Sequence, residues 1–311
     1  MSLETIQCGT YRAVISTERG GNLVSLCHSG YGARILRESE NLEQPDHPYL
    51  YGAPILFPVN RISGGVFFFE GREYRFPLNE PQTGCHLHGL LHDMPFSILE
   101  QEADRILCAC RVSADSVYPS FPHDFEVRLE YRLGEEGLVW RTEVINRSNT
   151  NMPCLLGFHT TFNACLTEQS RPEDMRVLVE LGEEYERNMA TYLPTGRRCE
   201  PDRVTLGLKE GSFCPFGTPV SRHYRAAGEG RMELFDSRTG LRLIYRNDSA
   251  LGFRLIYNGN ADGYICLEPQ TALANSPNAP FSREEAGFSW IAPHTSRIYY
   301  SGIMLVKEEY I

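Results

Sequence analysis

The sequence predicts an all-β protein, a large antiparallel β-sandwich. Three observations lead to this prediction. Apolar and polar residues alternate with a period of two in several long segments, turn residues separate these segments, and stretches with the 3.6-residue period of an amphipathic helix are scarce. Many short strands joined by regular turns favour a sandwich over a fold in which strands alternate with helices.

Three segments predict β-hairpins. "GGVFFFEGREYRFPL" turns at residues 70–71, "FEVRLEYRLGEEGLVWRTEVIN" turns at residues 135–137, and "RMELFDSRTGLRLIYRND" turns at residues 237–240. Outside these hairpins, the best candidate for a helix is "SREEAGF", residues 282–288, which is polar and short enough to be a loop instead. The hairpins supply most of the evidence for an antiparallel sheet.

No feature of the sequence marks a boundary between domains. The chain has no Ser/Gly-rich linker, no low-complexity tract, no block of five or more like charges and no visible repeat. The proline-rich piece "EQPDHPYLYGAPILFP" is short and is typical of a loop between strands. We therefore expect a single domain over residues 1–311.

The composition is that of an ordinary globular protein, with 41% hydrophobic and 23% charged residues. A net charge of -10 disfavours a nucleic-acid partner, because neutralising phosphates requires clustered Lys and Arg. The N-terminal segment lacks a basic stretch followed by an apolar run, and no segment reaches the roughly 20 apolar residues of a membrane span. We expect no membrane partner and a cytoplasmic location.

Ten cysteines are spread along the chain without a Cys-x-x-Cys pair. Cys108 and Cys110 are the closest two, and alternation places them on the same face of a strand. Two thiols at this spacing are too weak a pattern to predict a zinc site. We interpret the cysteines as reduced and mostly buried thiols.

Three of the 9 histidines fall within the segment "GCHLHGLLHDMPF", as His86, His88 and His92. His-x-His on a strand places both rings on one face, which suggests a metal site. A mononuclear site needs a third ligand, and Asp93 and Glu100 do not match any metal signature in their spacing from these histidines. The alternative is that one or two of these histidines form hydrogen bonds in a loop.

Two further segments carry candidate catalytic groups. "PCLLGFHTTFNA" places His159 at the end of an apolar run, and "GYICLEPQTALANSPN" places Glu268 at the end of another. Apolar neighbours raise the pKa of a carboxyl group toward the range that suits a general base. The alternatives are a strand-end carboxylate for Glu268 and a hydrogen-bonded core histidine for His159.

Four motifs in order, "NRISGGVFFFEGREYRFPLNE", "HLHG", "GFHTTFN" and "CLEPQTALANSPN", resemble the motif series of the aldose 1-epimerases, or galactose mutarotases. The resemblance runs from about Pro54 to Asn278. It implies the galactose mutarotase-like form of the large antiparallel β-sandwich, with an open cleft for a small-molecule sugar, no metal and no organic cofactor. The proposed strand pattern agrees with this fold on independent grounds.

The resemblance also implies roles for individual residues. Glu268 corresponds to the catalytic base of the family and His159 to its acid. His88 corresponds to a histidine that contacts the sugar near its ring oxygen, and Arg61 to a substrate-binding arginine. His86 and His92 have no counterpart, so for these two the loop interpretation stands.

These groups suit the interconversion of the α and β anomers of a hexose. Ring opening needs a proton removed from the anomeric hydroxyl while another is added to the ring oxygen, and a carboxylate and an imidazolium provide both. Two alternatives stay open. One is a sugar-binding module that lacks catalysis, and the other is a metal-dependent enzyme built on His86, His88 and a carboxylate.

One position departs from the pattern of the family. Where an Asp is expected to bind sugar hydroxyls, the best match is "SRHYR", with Ser221 in place of the carboxylate and Arg222 and Arg225 beside it. This change suggests a different hexose, or an anionic one such as a sugar phosphate or sulfonate, because Arg suits such groups. The sequence does not indicate an oligomeric state.

Overall fold

The computed structural model describes residues 3–115 and 121–308. In these residues the chain forms 26 strands, one α-helix, α1 (Arg203–Glu210), and three 3₁₀-helices at Ser29–Tyr31, Leu91–Asp93 and Pro172–Asp174. In chain order the strands are β1 (Leu3–Cys8), β2 (Tyr11–Ser16), β3 (Asn22–His28), β4 (Ala33–Arg34), β5 (Ile55–Leu56), β6 (Arg61–Ser63), β7 (Val66–Phe69), β8 (Arg72–Arg75), β9 (Cys85–Leu87), β10 (Ser97–Gln101), β11 (Arg105–Val112), β12 (Phe125–Gly134), β13 (Gly137–Asn146), β14 (Met152–Pro153), β15 (Gly157–Phe158), β16 (Thr161–Asn163), β17 (Met175–Val179), β18 (Leu181–Arg187), β19 (Pro194–Cys199), β20 (Ser221–Ala226), β21 (Met232–Asp236), β22 (Leu241–Asn247), β23 (Phe253–Tyr257), β24 (Tyr264–Gln270), β25 (Trp290–Ile291) and β26 (Ser296–Lys307).

Two eight-stranded sheets form the body of the protein. The back sheet has the order β10-β11-β12-β13-β26-β22-β21-β17, and the front sheet has the order β19-β18-β20-β23-β24-β15-β5, with β16 also paired to β24. All of their pairings are antiparallel. A four-stranded sheet, β1-β2-β3-β4, and three two-stranded ribbons complete the strands. The prediction of an all-β antiparallel sandwich is confirmed.

The two large sheets share one apolar core. Trp140 of the back sheet packs edge-on against Phe158 of the front sheet, with ring centroids 5.7 Å apart. Tyr245 of the back sheet packs against Phe162 in the same way at 5.4 Å, and its hydroxyl lies 2.9 Å from the hydroxyl of Thr160. Because these aromatic residues come from facing strands, burying them holds the sheets together.

The three hairpins predicted from alternation are present as β7-β8, β12-β13 and β21-β22. In β12 the residues Val127, Leu129, Tyr131 and Leu133 are buried, which is the alternation read from the sequence. Residues 282–288 form a turn and not a helix. None of the helices in the described part of the chain is long and apolar enough to cross a membrane.

Helix α1 is an element that the sequence analysis missed. The side chain of Asp202 accepts hydrogen bonds from the backbone N–H groups of Val204 and Thr205 at its start, each 3.0 Å long. Gly211 ends it with a φ of 73°, in the left-handed region that favours glycine. These two caps define a helix of only 8 residues, too short to show a clear period in the sequence.

The cysteines are free, and all ten lie in the described residues. Five are buried and five are partly exposed, so burial is less general than the sequence suggested. Cys108 and Cys110 are both buried in β11, on the same face of that strand, as alternation predicted.

Candidate active site

A cavity of about 750 Å³ opens on the outer face of the front sheet. This size lies in the range of about 300–1,000 Å³ that is usual for small-molecule sites. Glu268, His159, His88 and Arg61, which come from four separate segments of the chain, all line the cavity. The structure therefore brings together the four residues that the sequence analysis selected.

Strand β24 carries Glu268 to the cavity because its two faces differ. Ile265 and Leu267 point into the apolar core, whereas Glu268 and Gln270 lie on the opposite face. The strand continues through Pro269 to Gln270, so Glu268 is not a strand-end carboxylate. Every residue of β24 is buried, which removes water from the carboxyl group.

The two oxygens of Glu268 have different surroundings. Oε2 accepts a hydrogen bond of 3.1 Å from the side-chain amide of Gln270. Oε1 accepts none from any described residue, and it faces the ring of His159. Burial raises the pKa of Glu268 to about 8, while the Gln270 hydrogen bond and the charges of Arg187 and Arg61 act in the opposite direction. This raised pKa is the direction that the apolar neighbours predicted.

His159 occupies the two-residue gap between β15 and β16. Its backbone N–H donates to the carbonyl oxygen of Pro54, and its side chain is 8% exposed. Nε2 lies 3.3 Å from Oε1 of Glu268. Burial lowers the pKa of His159 to about 3, so an imidazolium at this position is disfavoured in the empty cavity. With both shifts, the Glu268–His159 pair holds one proton at neutral pH.

A chain of buried hydrogen bonds connects His88 to Glu268. Nδ1 of His88 accepts from the backbone N–H of Asn60 at 3.3 Å, and the side-chain amide of Asn60 donates to Gln270 at 3.1 Å. Gln270 in turn donates to Glu268. Since each of these side chains is fixed by its neighbour, the orientation of the carboxyl group is set before a ligand enters.

Arg61 enters the cavity as half of an ion pair. Its Nε and Nη2 lie 2.6 and 2.7 Å from the two oxygens of Glu80, an arrangement that fixes the plane of the guanidinium. The guanidinium carbon also lies 4.5 Å from the centre of the Tyr192 ring. Glu80 balances the charge of Arg61, so this arginine offers the cavity directed hydrogen-bond donors without an excess charge.

A sequence profile described as "Aldose 1-epimerase" matches residues 3–288. The chain belongs to the aldose 1-epimerase family. Solved structures agree with this assignment at the level of the fold. A galactose mutarotase-like protein from Clostridium acetobutylicum is 26% identical and has a TM-score of 0.92, with 98% of this chain and 95% of the other covered. A galactose 1-epimerase from Lactobacillus acidophilus NCFM is 15% identical, with a TM-score of 0.74 over 98% and 94% of the two chains, and this likeness shows the fold alone.

Curated relatives match this family member over shorter segments. The uncharacterized protein YihR of Escherichia coli K12 is 28% identical over 116 residues, which cover 37% of this chain and 36% of YihR. The chromosomal protein LacX of Lactococcus lactis is 30% identical over 139 residues, or 43% of this chain and 44% of LacX. These matches thus span less than half the length of either relative.

Two of the clustered histidines lie outside the places that the sequence suggested. His86 is in strand β9, not in a loop, and it is fully buried with Nδ1 2.7 Å from the carbonyl oxygen of Pro77. His92 lies in the 3₁₀-helix Leu91–Asp93, where its ring packs against Tyr49 at 4.8 Å. His86 and His92 therefore make separate local contacts.

His86 and His88 do not share a face, contrary to the His-x-His expectation. Strand β9 ends at Leu87, and His88 has a φ of 62°, so the alternation stops between the two rings. In the described part of the chain, one group of three residues has the ligand spacing of a metal site, His159, Cys266 and Glu268. Burial raises the pKa of the Cys266 thiol well above its usual value, which disfavours the thiolate that metals bind.

Ser221 lines the cavity, but the two arginines beside it do not. Arg222 forms ion pairs with Asp202 and Glu184, at 2.6 and 3.1 Å. Arg225 lies over the ring of Phe253 at 4.9 Å. The expectation that these two arginines receive an anionic sugar is therefore wrong for these residues.

Five cavity residues or partners were missed from the sequence: Tyr49, Asn60, Glu80, Arg187 and Gln270. Asn60, Glu80 and Gln270 lie inside the motifs already quoted, so their positions were visible although their contacts were not. Tyr49 and Arg187 gave no local signal. Tyr49 lies in a proline-rich loop, and its ring packs 4.7 Å from that of His88.

Proposed function

We propose that this protein is an aldose 1-epimerase that interconverts the α and β anomers of a hexose by acid–base ring opening and reclosure. The observation that carries the proposal is the 3.3 Å approach of His159 to Glu268 in a cavity of suitable size. Both groups are buried, both have shifted pKa values, and one oxygen of the carboxyl group has no other partner. Clustered groups of this kind in a cavity are typical of acid–base catalysis.

Each proton transfer follows from the chemistry of the anomeric centre. Glu268 as carboxylate takes the proton of the C1 hydroxyl, and His159 as imidazolium gives a proton to the ring oxygen. The bond between C1 and the ring oxygen breaks, and the open-chain aldehyde turns about its C1–C2 bond. Reclosure on the other face returns both protons, so the pair regains its original state.

Burial makes the reactive charge state of the pair a minor one, because the shifted pKa values place the shared proton on Glu268 at neutral pH and it must pass to His159 before the ring opens. Before the step, the carboxylate and the imidazolium are both charged, and afterwards both are neutral. Because the cavity disfavours both charged forms, the proton transfers relieve the desolvation cost that the charged pair carries. A hydrogen bond donated by the C1 hydroxyl to Oε1 stabilises the carboxylate of Glu268 while the sugar ring is closed.

Arg61 and His88 have a positioning role in this proposal. The Glu80 ion pair holds Arg61, and the Asn60 backbone holds His88. Donors fixed in this way orient the sugar oxygens, which lowers the entropic part of the barrier. Neither residue needs to exchange a proton with the substrate.

The test is the rate at which a freshly dissolved single anomer reaches equilibrium, followed by optical rotation or proton NMR. We expect Glu268→Gln and His159→Ala to lower the catalysed rate at least about a hundredfold, the usual size of general acid–base effects. His294→Ala is the matched control, because Nε2 of His294 donates a hydrogen bond to Oδ1 of Asn149 and the residue does not line the cavity. Near-normal rates in a folded Glu268→Gln protein contradict the proposal.

A sugar-binding module without catalysis is the main competing function. It predicts that sugars bind by calorimetry while the wild-type protein leaves the anomeric rate unchanged. A metal-dependent enzyme predicts instead that stoichiometric metal is found in the purified protein and that a chelator abolishes its activity.

The cytoplasm remains the proposed location, and free cysteines suit its reducing conditions.

A further inference from the structure

Arg187 is a buried cation in the cavity without an acidic partner. It is the last residue of β18, the residue is 8% exposed, and it lines the cavity. Within residues 3–115 and 121–308, no Asp or Glu lies within ion-pair distance of it. Its Nη2 donates to the carbonyl oxygen and to the hydroxyl of Ser221, the latter at 3.0 Å. Nε and Nη1 take no partner among these residues.

Arg254, the other buried arginine of the front sheet, also forms no ion pair with a described residue, and its Nε has no hydrogen-bond partner among them. Arg254 is fully buried, and its two Nη groups donate to the carbonyl oxygens of Leu251, Phe253 and Gly230. It does not line the cavity. Arg187 differs because it lines the cavity and its Nε and Nη1 have no hydrogen-bond partner among the described residues.

The charges of the cavity leave a net excess of one positive charge. Glu80 balances Arg61, and the Glu268–His159 pair is neutral overall while it holds one proton. Arg187 stays charged at neutral pH, because burial lowers its pKa only to about 10. A protein of net charge -10 thus places an uncompensated cation in its cavity. An unpaired buried charge is costly unless a ligand pairs with it.

The position of Arg187 fits the far end of a bound sugar. Glu268 pairs with Leu255 and Leu255 pairs with His223, so β20, which carries Ser221, lies two strands away from β24. Two strand spacings are about 10 Å. If C1 lies at Glu268 and His159, the Arg187–Ser221 pair faces substituents distant from C1. A planar guanidinium with free donors suits phosphate, sulfonate or carboxylate oxygens.

We propose that the cavity takes a hexose with an anionic substituent distant from C1, and that Arg187, with Ser221 beside it, binds this substituent. This inference rests on the proposed function for its placement of C1. The anionic group forms the ion pair that Arg187 lacks. A carboxylate at position 221 has the opposite effect, because it occupies the guanidinium and repels the ligand.

The experiment compares kcat/KM for glucose, glucose 6-phosphate, 6-deoxy-6-sulfoglucose and glucuronate, with the uncatalysed rate subtracted. We expect at least one anionic sugar to exceed glucose by about tenfold to a hundredfold, the usual size of a charge-assisted hydrogen bond. The three anionic arms distinguish phosphate, sulfonate and carboxylate. We expect Arg187→Met to abolish the preference and Arg187→Lys to retain part of it.

Arg225→Met is the matched control, since it removes the same charge from an arginine that lies over Phe253 and outside the cavity. It should leave the preference intact. Ser221→Asp is the second variant, for the case that Arg187→Met does not fold, and it should shift the preference toward glucose. A wild-type protein that prefers glucose, or a preference that survives both Arg187→Met and Ser221→Asp, overturns the inference.

Binding separates this inference from the proposed function. Calorimetry with the Glu268→Gln protein measures affinity for the same four sugars without turnover. Tight anionic binding that depends on Arg187, when the wild-type protein catalyses the anomeric exchange of none of the four sugars, supports the inference and contradicts the epimerase proposal. Catalysis of glucose and of anionic sugars at equal kcat/KM supports the epimerase proposal and contradicts the inference.

Discussion

Replacing Glu80 by Gln tests how much the protein depends on the ion pair that holds Arg61. The two contacts are 2.6 and 2.7 Å long, and the side chains of Arg61 and Glu80 are only 13% and 10% exposed. Breaking a buried pair by removing one partner costs about 3–5 kcal/mol, because the other charge is left unpaired. Gln keeps one oxygen acceptor, so we expect the free energy of unfolding to fall by about 2–3 kcal/mol.

The assay is urea unfolding at pH 7, with Glu186→Gln as the matched control. Glu186 makes the same two-contact pair with Arg197, at 2.8 and 3.0 Å, but the side chain of Arg197 is 75% exposed. Water already solvates that pair, so no measurable change is expected. Equal effects of the two substitutions refute the reasoning, because burial is then not what makes the Glu80 pair strong. Glu80→Gln should also raise KM, since Arg61 is no longer held in place.

Three further predictions concern the proton of the Glu268–His159 pair. The kcat/KM of the catalysed reaction should stay level from about pH 4 to 7 and fall above about pH 8, because loss of the shared proton leaves His159 without a proton to donate. Initial rates measured by NMR across this pH range check the prediction. Gln270→Leu removes a hydrogen bond that lowers the pKa of Glu268, so the alkaline limb should move to higher pH in the same assay. The raised pKa of Glu268 means that the folded protein loses stability as pH rises from about 4.5 to about 8. Glu268→Gln should therefore raise the midpoint of urea unfolding more at pH 8.5 than at pH 4.5. An equal gain at both pH values contradicts the explanation by a buried charge.

The fold was predictable where alternation continues through a strand and its turn. Strands β12 and β13 show this best, because Tyr131 pairs with Trp140 and each alternates with exposed or half-buried neighbours. Helix α1 was not predicted, since two turns of helix give too few residues for a period. Its signals were the caps, Asp202 before it and Gly211 after it.

The candidate site was predictable only in part, because its contacts depend on tertiary structure. Glu268 and His159 were found from their apolar neighbours and from motif order. The expectation that His86 and His88 share a face failed at one backbone angle, since a positive φ at His88 turns its ring toward the cavity. Arg187 reads as an ordinary charged residue in the sequence, and only the pairing of β18 with β20 buries it beside Ser221.

The cavity divides its chemistry between two sets of charges. The Glu268–His159 pair is neutral overall while it holds one proton, and Arg187 supplies the remaining charge three strands away. In the proposed function the pair determines which bond opens, and in the further inference Arg187 determines which sugar fits. Interactions that form equally in the ground state and the transition state change KM more than kcat. Substitutions of Glu268 should therefore lower kcat for every sugar, whereas substitutions of Arg187 should change the ranking of sugars mainly through KM. A variant of Arg187 that lowers kcat equally for glucose and for anionic sugars means that this arginine acts on the carboxyl group of Glu268 and not on the substrate.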